Sequence, residues 1–152
     1  MNYCKALIFL FASLINAQQK QFVTFLSEEV QINNEAKFTT VIIPFEILEG
    51  YHIQLEKVEY DNLLATKIDF EKQLDIKIVD KEFTSLQLKS VILDKTEFKV
   101  LDKNFKVKVK LVVNKKSTEL TGKLFYQTCD DFMCYFPREL KFSIPLKIKK
   151  LN

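Results

Sequence analysis

Histidine, arginine and glycine are nearly missing from this sequence of 152 residues: His52 is its one histidine, Arg138 its one arginine, and Gly50 and Gly122 its two glycines. With one histidine, any Ser-His-Asp or Cys-His catalytic set would have to be built on His52. There is no Gly-rich phosphate loop, no Gly-x-Ser-x-Gly elbow and no His-Glu-x-x-His helix. Scarce glycine also argues against a tightly wound barrel, whose corners and bulges need it. An excess of one charge sign is missing as well, since 23 basic residues face 20 acidic ones. That balance gives no electrostatic reason to expect nucleic acid or an anionic membrane as partner.

A hydrophobic run long enough to span a bilayer is absent too. The apolar stretch from Ala6 to Ile15 is about half of the roughly 20 residues a spanning helix needs. Lys5 precedes it, and Asn16, Ala17 and the polar Gln18, Gln19 and Lys20 follow. This is the pattern of a signal peptide, with cleavage expected after Ala17. Cys4 precedes the apolar run, whereas the acylated cysteine of a lipoprotein follows it. Cleavage removes Lys5 and Cys4 and leaves residues 18–152, a length suited to one domain. The mature chain then carries a net charge of +2 (22 basic against 20 acidic). Its two cysteines, Cys129 and Cys134, sit in a periplasmic or secreted setting where disulfides persist.

Beyond Gln21 apolar residues recur with period two, and no long window has a helical period. The clearest strands span Lys37–Ile47, Phe105–Val113, Leu120–Tyr126 and Leu140–Lys149. Lys106, Lys108 and Lys110 alternate with Phe105, Val107, Val109 and Leu111, as on the wet face of a half-buried strand rather than a binding patch. Weaker strands are expected at Val30–Ile32, His52–Val58, Thr66–Phe70, Leu74–Val79, Ser85–Leu93 and Glu97–Leu101. Turn signals at Asn33-Asn34, Glu49-Gly50, Asp61-Asn62 and Asn114–Ser117 separate them. So many short strands predict an all-β, immunoglobulin-like antiparallel sandwich. Pro44 and Pro145 lie inside apparent strands and cannot donate to a ladder, which places those strands at an edge or at a bulge. Val107, Val109 and Leu111 are expected to share one core with Phe142, Ile144 and Leu146.

Most of the unusual residues fall in one window, Gly122 to Leu140. It holds both mature cysteines, the adjacent Asp130 and Asp131, Pro137 and Arg138. Cys129 ends one strand and Cys134 opens the approach to the next, so the pair belongs on a turn at one end of a sheet. Four readings of it are open. As a staple, so short a loop would contribute roughly 2 kcal/mol in the chain-entropy model, little for a sandwich with this much apolar core. As a copper(I) site, two thiolates would need Met133 and the sequence-distant His52, and zinc would need a further ligand such as Asp130. As acid and base, Asp130 and Asp131 are neighbours on a turn and cannot easily flank a substrate. Thiol-disulfide exchange needs only two cysteines on an exposed turn. Asp130 and Asp131 would there disfavour a thiolate, while Arg138 and Lys123 would favour it.

At this window the chain resembles the N-terminal periplasmic domain of the DsbD thiol:disulfide interchange protein. The matching residues are Gly122, Leu124, Tyr126-Gln127, Cys129-Asp130-Asp131, Cys134-Tyr135 and Pro137, with a second match at Gly50-Tyr51-His52-Ile53. The resemblance implies an immunoglobulin-like domain that needs no cofactor and no metal, and passes electrons between proteins by disulfide exchange. It makes Cys134 the cysteine that engages the partner and Cys129 the one that resolves, with Tyr51 and His52 as neighbours of the site. It implies thioredoxin-like or other exported disulfide-bearing proteins as partners, with no nucleic acid and no small-molecule substrate. An aromatic cap loop should fall near Val91–Lys95, which holds no aromatic residue, with Phe83 as the candidate. DsbD continues into a membrane conduit and a thioredoxin-like domain for which this chain has no room. The expectation is therefore a stand-alone version that a membrane or periplasmic reductant must recharge, or a descendant that binds a partner without redox turnover.

Overall fold

In the computed structural model, residues 20–58, 63–93, 95–114 and 117–147 are described. The expected signal peptide, the Asp61-Asn62 turn, part of the Asn114–Ser117 turn and the end of the last expected strand lie outside them. The described residues form antiparallel strands and one 3-10 turn, Ser27–Glu29. The largest sheet has β1 (Val23–Phe25) and β2 (Gln31–Asn34) one after the other along one side of β3 (Thr39–Ile47). It continues through β9 (Asn104–Val113) to β6 (Ile76–Thr84). A second sheet is ordered β12 (Arg138–Lys147), β10 (Ser117–Tyr126), β5 (Lys67–Phe70). The third, ordered β11 (Thr128–Cys129), β4 (His52–Ile53), β8 (Thr96–Asp102), β7 (Leu88–Leu93), carries the first cysteine.

The period-two alternation explains the layers. Phe105, Val107, Val109 and Leu111 of β9 are all buried, and so are Phe142, Ile144 and Leu146 of β12. They meet Val41, Ile43 and Phe45 of β3 and Leu120 and Leu124 of β10 in one core, as alternation on two facing sheets requires. Phe45 is its aromatic hub, with ring centroids 5.2 Å from Phe105 and 5.7 Å from Phe142. Gly122 allows the closest approach. A Cβ there would lie 2.6 Å from the Phe142 ring and 2.9 Å from the Asp69 carbonyl oxygen. The architecture is the expected immunoglobulin-like antiparallel sandwich.

Several local expectations change. β3 is an interior strand, not an edge, yet it accommodates Pro44. The carbonyl of Pro44 accepts from Leu26 N, so its missing N–H points the same way, toward the break between β1 and β2 where the 3-10 turn intervenes. Pro145 lies on β12, at the edge of its sheet. The turn expected at Asn33-Asn34 falls slightly later: both asparagines pair with β3, and the chain reverses where Glu35 N donates to Phe38 O, 2.8 Å. The strand expected over His52–Val58 is regular only at His52–Ile53, and β1 and β11 are too short for a period to be read. Where glycine would be usual, Ser85, Lys95 and Lys103 take positive φ of 52°, 67° and 66°. The hairpins around β7 and β8 are thus closed without it, at the steric cost of a Cβ in the left-handed region.

Candidate functional site

The buried alternation of β10 ends at Tyr126, and after Gln127 the chain joins the third sheet as β11. There Thr128 and Cys129 are both buried, and Cys129 pairs with His52 of β4. The next residues turn back on themselves around Asp130. Its carboxylate accepts from the backbone N–H of Phe132 (2.8 Å) and Met133 (2.9 Å) and from the hydroxyl of Tyr135 (2.8 Å). An aspartate that binds the backbone two and three residues on is a turn former. Asp130 N donates to Met133 O and Tyr135 N to Thr128 O, 2.9 and 2.7 Å. Cys134 is thereby set across from Cys129 as a β-bridge. The two form a disulfide, with Cα atoms 3.9 Å apart.

The bridge is asymmetric. Cys129 is 3% exposed, whereas Cys134 is exposed. Charge is held on the turn rather than at the sulfurs. The donors from Phe132, Tyr135 and Met133 hold the Asp130 carboxyl below the usual carboxylate range. The same bond to Asp130, with burial and its negative charge, pushes the Tyr135 phenol up to about 12.

Beneath Cys129, alternation along the chain puts Ile53 into the core and His52 and Gln54 on the opposite side. His52 is 5% and Gln54 1% exposed. Burial, aided by the positive charge of Lys89, lowers the His52 pKa, against the smaller pull of Asp131, Asp102 and Asp130. Gln54 Nε2 donates to Cys129 Sγ at 3.5 Å. Thr66, also fully buried, holds that stretch through two bonds, Oγ1 to Gln54 O (2.5 Å) and N to Leu55 O (3.1 Å). A cleft of about 400 Å³ opens above these residues, walled by β7 from Lys89 to Ile92, by Phe98 of β8 and by the cysteine turn. An ion pair between Lys89 and Asp131, 3.2 Å, links two of its walls.

The residues singled out in the sequence separate into groups. Cys129, Cys134, Asp130, Asp131 and His52 come together at the cleft. Tyr51 and Tyr135 support its flank: each ring lies 4.8 Å from Phe22. Lys20 donates to the Tyr51 hydroxyl (2.6 Å), and the Arg138 guanidinium stacks 4.6 Å over Phe22. Tyr126 is buried, and lines a different hollow with Pro137. The cations expected to favour a thiolate are elsewhere: Lys123 pairs with Glu139, 3.2 Å, and Arg138 donates to Lys20 O, 2.7 Å. Lys89 faces the cysteine turn instead. Phe83 is no cap either, since it stacks on Phe105 in the core, 5.9 Å. Val91 does wall the cleft, and the aromatic residue that this hairpin brings there is Phe98, its partner across β7 and β8.

Gln54, Thr66, Lys89 and Phe98 were not singled out from sequence. By alternation Gln54 falls with His52 and Glu56 on the polar side of its expected strand, whereas Thr66 falls with Ile68 and Phe70 on the apolar side, so a signal of burial was available for Thr66 alone. Among the described residues, no group of three or more His, Cys, Asp or Glu side chains converges as a metal site. No helix there is long and apolar enough to cross a membrane.

No protein-family model matches the sequence, and no curated protein matches it significantly. Solved structures do. The N-terminal periplasmic domain of ScsB from Proteus mirabilis superposes with a TM-score of 0.53 at 14% identity, over 78% of this chain and 44% of that one. The chain thus spans less than half of that structure's length. The Neisseria meningitidis DsbD N-terminal domain in its reduced form matches with a TM-score of 0.42 at 16% identity, over 78% of this chain and 84% of that one. The yeast GGA1 GAE domain gives 0.44 at 10% identity, over 86% and 96%. At those two scores neither match adds to the assignment. The chain therefore shares its antiparallel β-sandwich fold with the N-terminal periplasmic domain of ScsB, a likeness of fold alone.

Proposed function

We propose that the chain is an exported, cofactor-free thiol-disulfide exchange protein in which Cys134 engages the partner and Cys129 resolves. The observation that carries this reading is the asymmetry of the bridge, because an exchange cysteine must be reached from outside while its resolving partner need only reach it. A reducing partner's thiolate attacks Cys134 Sγ, the Cys129–Cys134 bond breaks, and its electron pair goes to Cys129 Sγ. The partner's second thiolate then displaces Cys134 from the mixed disulfide, and two electrons have passed to the domain. In the delivering direction the Cys134 thiolate attacks a target disulfide. Cys129 then displaces the target's sulfur and re-forms the bridge.

Partners of this chemistry are thioredoxin-like or other disulfide-bearing exported proteins. Removal of residues 1–17 would leave one domain, 18–152, in the periplasm or secreted. The ScsB domain it resembles in fold is itself described as periplasmic. The apolar side chains around the bridge, Phe132 and Phe136 at 96% and 92% exposed, suit contact with a partner. They also favour a second reading, a binding module whose disulfide only shapes the loop. Cells carrying Cys129→Ser separate the two. Under exchange, a reducible adduct accumulates with Cys129→Ser and little forms with Cys134→Ser. No adduct from either variant would leave the binding module.

A further inference from the structure

We infer that Gln54 is a positioning residue for the exchange, acting through Cys129: its side-chain N–H holds the negative charge that falls on Cys129 Sγ as the bridge opens. The inference rests on the exchange reading and adds to it the question of how a buried sulfur ionises. Cys129 is 3% exposed, so water cannot solvate its thiolate, and a buried anion without a donor would be strongly disfavoured. Gln54 supplies the donor. Its amide is 1% exposed and its Nε2 lies 3.5 Å from Cys129 Sγ. A disulfide sulfur is a weak acceptor and a thiolate a strong one. The contact therefore stabilises the open state more than the closed one.

The surroundings fit this role. Thr66 clamps the backbone of Gln54 and Leu55, so the amide is held in place before the bridge opens. The charged or titratable groups around Cys129 are His52 on β4, Asp102 on β8, Lys89 on β7 and Asp130 and Asp131 on the turn. Lys89 is paired with Asp131, and burial favours neutral His52. Asp130 is fully engaged by its own turn. Gln54 is the buried donor in hydrogen-bond contact with the sulfur. When a partner attacks Cys134, the electron pair moves onto Cys129 Sγ, and a sulfur stabilised there is a better leaving group. In the delivering direction the same bond raises the thiolate fraction of Cys129 available to resolve.

The test measures Cys129 alone. In the mature Cys134→Ser chain, which lacks Cys4, thiolate absorbance against pH gives the acidity of Cys129 with Gln54 present, and in Gln54→Met, which is of similar length and has no donor. A hydrogen bond to a charged group predicts that Gln54→Met weakens Cys129 as an acid about tenfold. In the chain with both cysteines, resolution at neutral pH then slows about threefold, because lower thiolate fraction outweighs higher intrinsic nucleophilicity. Gln54→Glu keeps the shape and sets a carboxylate against the sulfur, and should weaken the acid further. It serves if Gln54→Met fails to fold. Unchanged acidity in the folded variant overturns the role of Gln54 whatever the chain exchanges with. Absence of adducts from Cys129→Ser overturns exchange while leaving the acidity measurement intact.

Discussion

The sandwich core and the cysteine end follow opposite rules. In the core, Phe45, Phe105, Val107, Leu120 and Leu146 are sealed from water and lysines line the outside. At the cysteine end His52, Gln54, Thr66 and Thr128 are buried, while Phe132, Met133, Phe136 and Ile92 are exposed. One region follows the hydrophobic pattern and the other inverts it over a few residues on each strand. Such inversions lower stability locally and persist where something other than stability is served. Here they surround the one disulfide.

The comparison breaks most plainly if large apolar residues in the two regions respond alike. Phe45→Ala should cost about 3–5 kcal/mol, the usual penalty for emptying an aromatic site in a packed core. Phe132→Ala or Phe136→Ala should stay within about 0.5 kcal/mol of the parent and yet slow exchange with a partner. Denaturant unfolding of the three variants reads this directly. Next comes the tightest contact between strands. Gly122→Ala must displace the Phe142 ring or the Asp69 carbonyl, and a loss of about 1–3 kcal/mol is expected from overpacking.

The cysteine end is sharpened by titration. His52 has a lowered pKa from burial, so the unfolded chain takes up its proton first as pH falls. Stability from this group is fully present above the unfolded value near 6.5 and is lost as pH falls through the lower, folded value. His52→Gln should flatten that part of the stability profile, and the imidazole proton resonance of the sole histidine should titrate below 6.5. The most local effect lies in the turn. Tyr135, pushed up to about 12 by its bond to Asp130, should return toward about 10 in Asp130→Ala, as followed by phenolate absorbance.

How much of this could be read from sequence differs between the same two regions. Alternation along Phe105–Leu111 and Phe142–Leu146 reports which face is buried, so the layers and the shared core were legible. Pro44 misled because a proline reports only that its own N–H has no partner. It does not say that β1 and β2 leave a gap beside an interior strand. At the cysteine end the window carrying Cys129, Asp130 and Cys134 was visible as a cluster. Its floor was not. A buried Gln54 and an exposed glutamine look the same in a row of letters, and burial comes from Thr66, β7 and β8, distant along the chain. Lys123 and Arg138 misled for the same reason: proximity in sequence to Cys129 is not proximity in a sheet where neighbours face opposite sides.

The central claim is that the bridge between buried Cys129 and exposed Cys134 opens and closes as part of the protein's work. The most direct measurement is the reduction potential of that bridge in the mature chain, taken at equilibrium with a thiol buffer of known poise. The account predicts a potential above about −300 mV, the limit below which structural disulfides typically lie. A bridge that stays oxidised below that value would contradict it.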